Sequence, residues 1–250
     1  MRLLPGVLKE LSKHVPTVLF QTVEWSELAS ELPKITRRIL QKEGYQDLFD
    51  YQKDFLSAVG VELTKEPVVH ASMKNNKAAG ETLLKLYFTQ LFSPYGLFLD
   101  LRGHHFVWEN SSLKWHPSGF WTKFGDNFRH GLLQVYEGFY LEDEKTYYQG
   151  LAAIGLISPD WHKEDIKKLG DLFKAQFGSA MDSEMSFELD HFKQSILKTS
   201  NFLLEKKVKI SKDFLYLGIY LVTLYSSLDE TKEKLPVRDI YLEVRKNFEN

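Results

Sequence analysis

The sequence contains no cysteine among its 250 residues. The absence of thiols excludes disulfide bonds, thiolate nucleophiles, iron–sulfur clusters and cysteine-bound zinc, so any metal site must use histidine and carboxylate ligands. An excess of charge of one sign is absent too, because 32 Lys and Arg residues stand against 34 Asp and Glu residues, for a formal net charge of −2. A chain so close to neutrality is not expected to coat nucleic acid.

Long hydrophobic runs and targeting patterns are also missing. Segment 1–16 is interrupted by Pro5 and charged at Lys9 and Lys13, which does not fit a secretory signal, and we expect a cytoplasmic protein. The most apolar run, 214–225, is shorter than the roughly 20 residues that a membrane-spanning helix requires. It therefore predicts a buried helix, with a peripheral membrane contact as the alternative.

Apolar and aromatic residues are plentiful, at 43% and 14% of the chain, which is enough for a sizeable core. Apolar positions recur at three- and four-residue steps through most of the sequence. This periodicity predicts helices over 25–40, 46–59, 80–92, 120–140, from Ser158 to 177, 184–206, 212–228 and 237–248. The sequence thus predicts a mainly α protein with a small β element, an α+β fold.

The β element is predicted between residues 97 and 116. Leu97, Leu99 and Leu101 alternate with other residues, as in a strand, and the segments on either side of Asn110 predict a hairpin. Residues 61–69 are predicted to be extended. We expect a mostly helical segment over 1–79 and a helical domain with the hairpin over 80–250, packed together as one compact unit.

The helix, strand, loop and hairpin between residues 80 and 117 resemble the layout of a kinase catalytic loop. In phosphoryl transfer an Asp at the position of Asp100 accepts the proton of the substrate hydroxyl, an Asn five residues later binds a metal ion, and a second Asp follows the hairpin. In this sequence His105 replaces the Asn, and residues 114–117, which include His116, lie where the second Asp would be. Imidazole is a poor ligand for magnesium, so these histidines do not replace the metal-binding residues of a kinase. Asp100 is therefore the one catalytic candidate. His105 and His116 are candidate ligand-binding residues.

A structural role is the alternative for each of these residues. Asp100 is equally well explained as a strand-end residue that accepts hydrogen bonds from nearby backbone N–H groups. His104 and His105 are expected on opposite faces of a strand, and their adjacency therefore argues against a shared metal ion.

A second chemical hypothesis is a His/carboxylate metalloenzyme within a helical bundle. Glu188 and His191 form an E-x-x-H pair, which lies on one face of a helix as in carboxylate-bridged di-iron proteins. Glu137 and His130 are seven residues apart and share a face of another helix. These four residues are the candidate ligands for iron or manganese, although no second E-x-x-H pair accompanies the first.

Taken in order, several segments resemble the C-terminal lobe of the AarF/UbiB family of atypical kinases. These segments are ETLLKLYFTQLFSPYGLFLDLRGHHFVW, the hairpin that closes at SLKWH, FRHGLLQVYEGFYLEDEKTYYQGLAAIGLI and KISKDFLYLGIYLVTLYSSLD. Asp143 and the glycines and leucines of 150–157 are similar to the family's "D…GL…LGLI" phrase. The resemblance covers about residues 80–157, and a weaker similarity extends over residues 200–245.

The resemblance implies a truncated protein-kinase-like large lobe, ATP or ADP with magnesium as ligand, and a link to isoprenoid-quinone metabolism. The family's Lys-x-Gly-Gln segment and alanine-rich nucleotide loop are absent, and only Asp100 matches a functional position. We therefore expect a pseudokinase that binds a protein, a lipid or a nucleotide and does not transfer phosphate. The metalloenzyme and a helical scaffold or adaptor are the alternatives.

Overall fold

The computed structural model describes residues 22–23, 25–178 and 184–248. The described chain is mainly helical with small sheets, as predicted. The helices are α1 (Trp25–Gln41), α2 (Tyr45–Ser57), α3 (Lys77–Phe92), α4 (Asp126–Tyr140), α5 (Glu144–Ala153), α6 (Lys163–Phe177), α7 (Leu189–Glu205), α8 (Lys212–Thr231) and α9 (Val237–Lys246). The strands are β1 (Val61–Leu63), β2 (Leu97–Phe98), β3 (Phe106–Glu109), β4 (Ser112–Trp115), β5 (Trp121–Thr122), β6 (Met185–Ser186) and β7 (Lys234–Leu235).

The chain divides into two compact units that interleave along the sequence. The described residues within 1–31, 124–182 and 190–218 form the first unit, and those within 32–123, 183–189 and 219–250 form the second. The predicted boundary between residues 79 and 80 falls inside helix α3, and the residues on both sides of it belong to the second unit.

The second unit is built around helix α3, which is buried along most of its length. It contacts α2, α9, β2, β4 and β7. A helix that is covered on several sides needs apolar residues around much of its circumference, and the sequence of α3 supplies them. The helix begins after Asn76, whose side-chain oxygen accepts a hydrogen bond from the backbone N–H of Ala79 at 3.0 Å.

The predicted hairpin is confirmed. Strands β3 and β4 pair antiparallel, and β1 adds in parallel to β4 to make a three-stranded sheet. The two residues of the turn, Asn110 and Ser111, have φ of 50° and 61°. Left-handed backbone at both central positions is the turn geometry that matches the twist of the flanking strands.

The helix predicted over 120–140 is wrong in its first turns. Trp121 and Thr122 form strand β5, which pairs antiparallel with β2, and helix α4 begins only at Asp126. The apolar spacing of this segment fits a helix. The strand that pairs with β5 is β2, more than 20 residues away in sequence, and the local apolar pattern carries no information about so distant a partner.

The helix start predicted at Ser158 is also wrong. Helix α6 begins at Lys163, after His162. The Ser158 carbonyl accepts a hydrogen bond from the N–H of Trp161 at 3.1 Å, so the cap-like sequence closes a turn before the helix instead of opening the helix itself.

In the first unit, helices α4 and α5 approach each other closely through glycines. A Cβ on Gly150 would lie 2.6 Å from the backbone oxygen of Gly131 and from the backbone nitrogen of Val135. A Cβ on Gly138 would collide with the backbone of Tyr147. The helices can therefore pack backbone to backbone only because these positions have no side chain.

The apolar run 214–225 lies inside helix α8, and every one of its residues is buried, as predicted. Within the described part of the chain, none of the helices combines the length with the apolar character needed to cross a bilayer.

Candidate functional site

The candidate site is the loop between β2 and β3, which contains Asp100 and a single 3₁₀ turn at Gly103–His105. Strand β2 ends at Phe98, and the backbone N–H of Leu99 still donates to the carbonyl of Phe120 at 2.9 Å. Extended backbone therefore carries the chain into the protein interior just before Asp100. The side chain of Asp100 is fully buried.

Helix α8 holds the backbone of this loop by side-chain hydrogen bonds. The hydroxyl of Thr223 donates to the Leu99 carbonyl at 2.9 Å and accepts from the Leu101 N–H at 3.1 Å. The hydroxyl of Ser227, one turn further along α8, donates to the Leu101 carbonyl. Buried backbone groups need hydrogen-bond partners. These two hydroxyls provide the hydrogen bonds that a neighbouring strand would otherwise provide to the residues on either side of Asp100.

Both oxygens of the Asp100 carboxylate are engaged. Arg102 donates from Nε to Oδ1 at 2.8 Å and from Nη2 to Oδ2 at 2.6 Å, which is a bidentate pair. The backbone N–H of Arg102 lies 3.3 Å from Oδ1, and Nε2 of His105 donates to Oδ2 at 3.1 Å. The carboxylate thus has four donors from two residues of its own loop.

These donors decide the charge of Asp100. Burial alone would raise the pKa of the carboxyl group, but the hydrogen bonds and positive charge of Arg102, together with His105, outweigh burial and hold the pKa well below its usual range. Asp100 is therefore ionised at neutral pH, and its negative charge is stabilised by an ion pair within the fold.

The 3₁₀ turn brings His104 and His105 to the same place, against the expectation of opposite strand faces. The N–H of His105 donates to the Arg102 carbonyl at 3.0 Å, which closes the turn. The two rings lie 4.1 Å apart between centroids. Burial and the neighbouring His105 and Arg102 lower the pKa of His104, so its ring is neutral near pH 7.

Two further titratable groups lie beside Gly103. Nδ1 of His70 donates to the Gly103 carbonyl at 2.9 Å. A Cβ on Gly103 would lie 2.6 Å from Oε2 of Glu230, so the absence of a side chain there lets that carboxylate approach the turn. Burial raises the pKa of Glu230, although the nearby His70 acts in the opposite direction.

His116 lies next to the loop but does not share its carboxylate. The backbone N–H of His116 donates to the His105 carbonyl at 3.0 Å, and Nδ1 of its ring donates to the Thr64 carbonyl at 3.2 Å. Of the sequence-predicted site residues, the structure therefore brings Asp100 and His105 into contact and directs the ring of His116 to a backbone oxygen of another segment.

None of the four residues of the metalloenzyme hypothesis belongs to the group of possible metal ligands found among the described residues. Helix α7 begins at Leu189, so Glu188 precedes the helix that was expected to carry it with His191, and both side chains are exposed. His130 is exposed on α4 and lies 3.2 Å from a guanidinium nitrogen of Arg129, and Glu137 is one of the half-buried residues of the same helix. Among the described residues, the group of three His or carboxylate ligands that could share an ion consists of Asp100, His104 and His105.

Sequence reasoning did not select Arg102, His70, Glu230 or Thr223 as site residues. A signal existed for Arg102, because residues two apart in an extended segment lie on one face and an Asp-x-Arg pair can close an ion pair there. The other three residues come from distant segments and meet the loop only through the fold. No protein-family model matches the chain, and a search of curated proteins likewise returns no match.

Proposed function

We propose that this chain is a kinase-like binding protein without phosphoryl-transfer activity, a pseudokinase. The observation that carries the proposal is the state of the Asp100 carboxylate, whose two oxygens accept hydrogen bonds from Arg102 and His105. A side chain at the position of the catalytic base has here become the centre of an ion pair.

A general base has to reach the proton that it removes. The accepting oxygen must come within about 2.6–3.2 Å of the substrate hydroxyl, with a lone pair free to take the proton. The side chain of Asp100 has no exposed surface, and its oxygens already have four donors. A substrate would have to displace the guanidinium of Arg102, and breaking a buried ion pair is costly.

The metal-binding positions of a kinase are also changed. Magnesium prefers oxygen ligands, and transferable phosphates are normally held through such ions. The residues at these positions, His105 and His116, have imidazole side chains with no oxygen to offer magnesium, and their rings hydrogen-bond to Asp100 and to the Thr64 carbonyl. The enclosed carboxylate of Asp100 and the missing oxygen ligands for magnesium both favour a protein that binds a ligand without transferring phosphate.

The order of elements supports the resemblance to the AarF/UbiB family. Helix α3 leads through β2 to the Asp100 loop, the β3–β4 hairpin follows, and helices α4 and α5 come next. This is the order that the family's C-terminal lobe would require. The nucleotide, lipid or protein partner and the link to isoprenoid-quinone metabolism belong to the same proposal.

The proposal is tested with ATP labelled at the γ-phosphate. Wild-type protein, Asp100→Asn and Asp54→Asn are each incubated with magnesium, and released phosphate and protein-bound label are measured. Asp54 is an exposed aspartate on α2 and serves as the matched control. We expect wild-type turnover no higher than that of Asp100→Asn. Magnesium-dependent turnover that is kept in Asp54→Asn and lost in Asp100→Asn would contradict the proposal.

A calorimetric titration with ADP in the presence of EDTA then asks which ligand class is bound. Heat of binding without metal would identify a nucleotide as the ligand. Its absence would leave a lipid or a protein as the partner to be sought.

A further inference from the structure

We propose that Asp100, His104 and His105 form a binding site for a divalent transition-metal ion of the zinc class. The inference rests on the geometry of the loop and does not depend on the relationship to kinases. Two imidazoles and one carboxylate are the protein ligands of several zinc sites that keep a coordination position open.

The distances fit such an ion. Zinc binds imidazole nitrogen and carboxylate oxygen at about 2.0–2.2 Å, so two ligand atoms in a tetrahedral site lie about 3.3 Å apart. Nε2 of His105 and Oδ2 of Asp100 are already 3.1 Å apart. An ion bound between these two atoms would displace the Nε2 proton to solvent, and the neutral ring would then carry its proton on Nδ1.

His104 supplies the third ligand. One ligand atom from each of the three residues lies within 4.8 Å of the other two, and His104 is the exposed member of the group. An exposed ring can move by the ångström or so that is needed to reach the ion. Its exposure also provides a path for the ion and room for water at the remaining coordination position.

Arg102 orients the carboxylate without excluding the ion. Carboxylates that bind metals are themselves commonly hydrogen-bonded by a second layer of residues. Arg102 donates to both carboxylate oxygens, whereas His105 donates to Oδ2 alone. The ion would bind Oδ2 in place of the hydrogen bond from His105.

Opposite charges are paired around the turn. Arg102 is balanced by Asp100, and the carboxylate of Glu230 adds a further negative charge beside Gly103. His70, which donates to the Gly103 carbonyl, extends the set of imidazoles around the turn. The imidazole content selects against magnesium and calcium and in favour of zinc, copper, nickel or iron.

The experiment is a calorimetric titration of zinc chloride into full-length, EDTA-treated and dialysed protein at neutral pH. His104→Ala and His105→Ala are compared with His191→Ala, which removes an exposed histidine outside the group. We expect one zinc ion per chain, an affinity lowered at least about tenfold in His104→Ala and His105→Ala, and a change of less than about twofold in His191→Ala. Circular dichroism checks that each variant is folded, and His104→Ala carries the test if His105→Ala is not.

Cobalt provides a second readout, because Co²⁺ bound by imidazole and carboxylate has a visible absorption that depends on its ligands. The wild-type spectrum should be lost in His104→Ala and retained in His191→Ala. The proposal is overturned if wild-type protein binds no zinc, if His191→Ala weakens zinc binding as much as His104→Ala, or if the cobalt spectrum is unchanged in His104→Ala. None of these outcomes depends on nucleotide turnover, so the two proposals fail separately.

Discussion

At the scale of single residues, the sequence identifies the position of Asp100 but only part of its environment. The alternation of leucines up to Leu101 places the aspartate at the end of a strand, and an interaction with nearby backbone N–H groups is the alternative that was open. The backbone N–H of Arg102 does lie 3.3 Å from the carboxylate. The bidentate guanidinium contact and the His105 contact depend on how the loop turns, and that turn has no local pattern in the sequence.

The ion pair of Asp100 predicts a pH dependence of stability. Its pKa is lower in the folded protein than the ordinary value of 3.8. The folded state is therefore stabilised by this group above that ordinary value, and the stabilisation is lost as the pH falls from there toward the folded-state pKa. In metal-free protein, we expect the unfolding free energy of wild type to exceed that of Asp100→Asn by about 2–4 kcal/mol at pH 7.

Urea unfolding of the two proteins at several pH values, with EDTA present, measures this difference. It should shrink as the pH is lowered below about 3.8. The control Asp54→Asn should stay within about 0.5 kcal/mol of wild type at neutral pH. A wild-type advantage that grows on acidification would contradict the assignment.

The hydroxyl of Thr223 provides a second residue-scale prediction. Thr223→Val keeps the shape of the side chain but leaves the Leu101 N–H without its acceptor. We expect a loss of about 1–3 kcal/mol in unfolding free energy, the cost of an unsatisfied buried group. Ser226→Ala, on the same helix, is the control and should change the unfolding free energy by less than about 0.5 kcal/mol. Equal losses of unfolding free energy in the two variants would contradict a stabilising role for the Thr223 hydroxyl.

At the scale of secondary-structure elements, the sequence predicts those that depend on their own segment better than those that depend on a distant partner. Helices α3 and α8 and the β3–β4 hairpin are predicted well, because apolar period and turn geometry are encoded within each segment. The two-residue strands β2 and β5 are stabilised by pairing with each other, and the apolar period around Trp121, which predicts a helix, carries no sign of that pairing. The capping pattern at Ser158 predicts a helix start but also fits a turn, and α6 begins only at Lys163.

The contact between α4 and α5 gives an element-scale prediction. In Gly138→Ala the new methyl group would meet the backbone of Tyr147, which cannot move without separating the helices. We expect a destabilisation of at least about 2 kcal/mol, despite the better helix propensity of alanine.

Gly80→Ala is the matched control for this substitution. The new methyl would lie 3.0 and 3.1 Å from the two methyls of Leu235, so a side chain and not a backbone would have to give, and only by a few tenths of an ångström. Its effect on the unfolding free energy should remain below about 1 kcal/mol. A Gly138→Ala protein as stable as Gly80→Ala would show that the helices do not need this close approach.

At the scale of the whole molecule, the candidate site is assembled from segments that are far apart in sequence. Leu101 and Thr223 are 122 residues apart, and His70 and Gly103 are 33 apart. Glu230 reaches the same turn from the end of α8. The sequence predicts Asp100, His105 and the order of elements. The residues from distant segments that contact this loop and determine its chemistry come together only in the folded chain.

A double-mutant cycle between Asp100 and Arg102 tests most directly whether Asp100 is a structural group. The unfolding free energies of wild type, Asp100→Asn, Arg102→Gln and the double variant are measured by urea unfolding at neutral pH with EDTA. We predict that each single variant is destabilised and that the coupling energy is at least about 1 kcal/mol, because either substitution alone leaves the other charge without its partner. Additive effects within about 0.5 kcal/mol, or an Asp100→Asn protein more stable than wild type, would contradict the account.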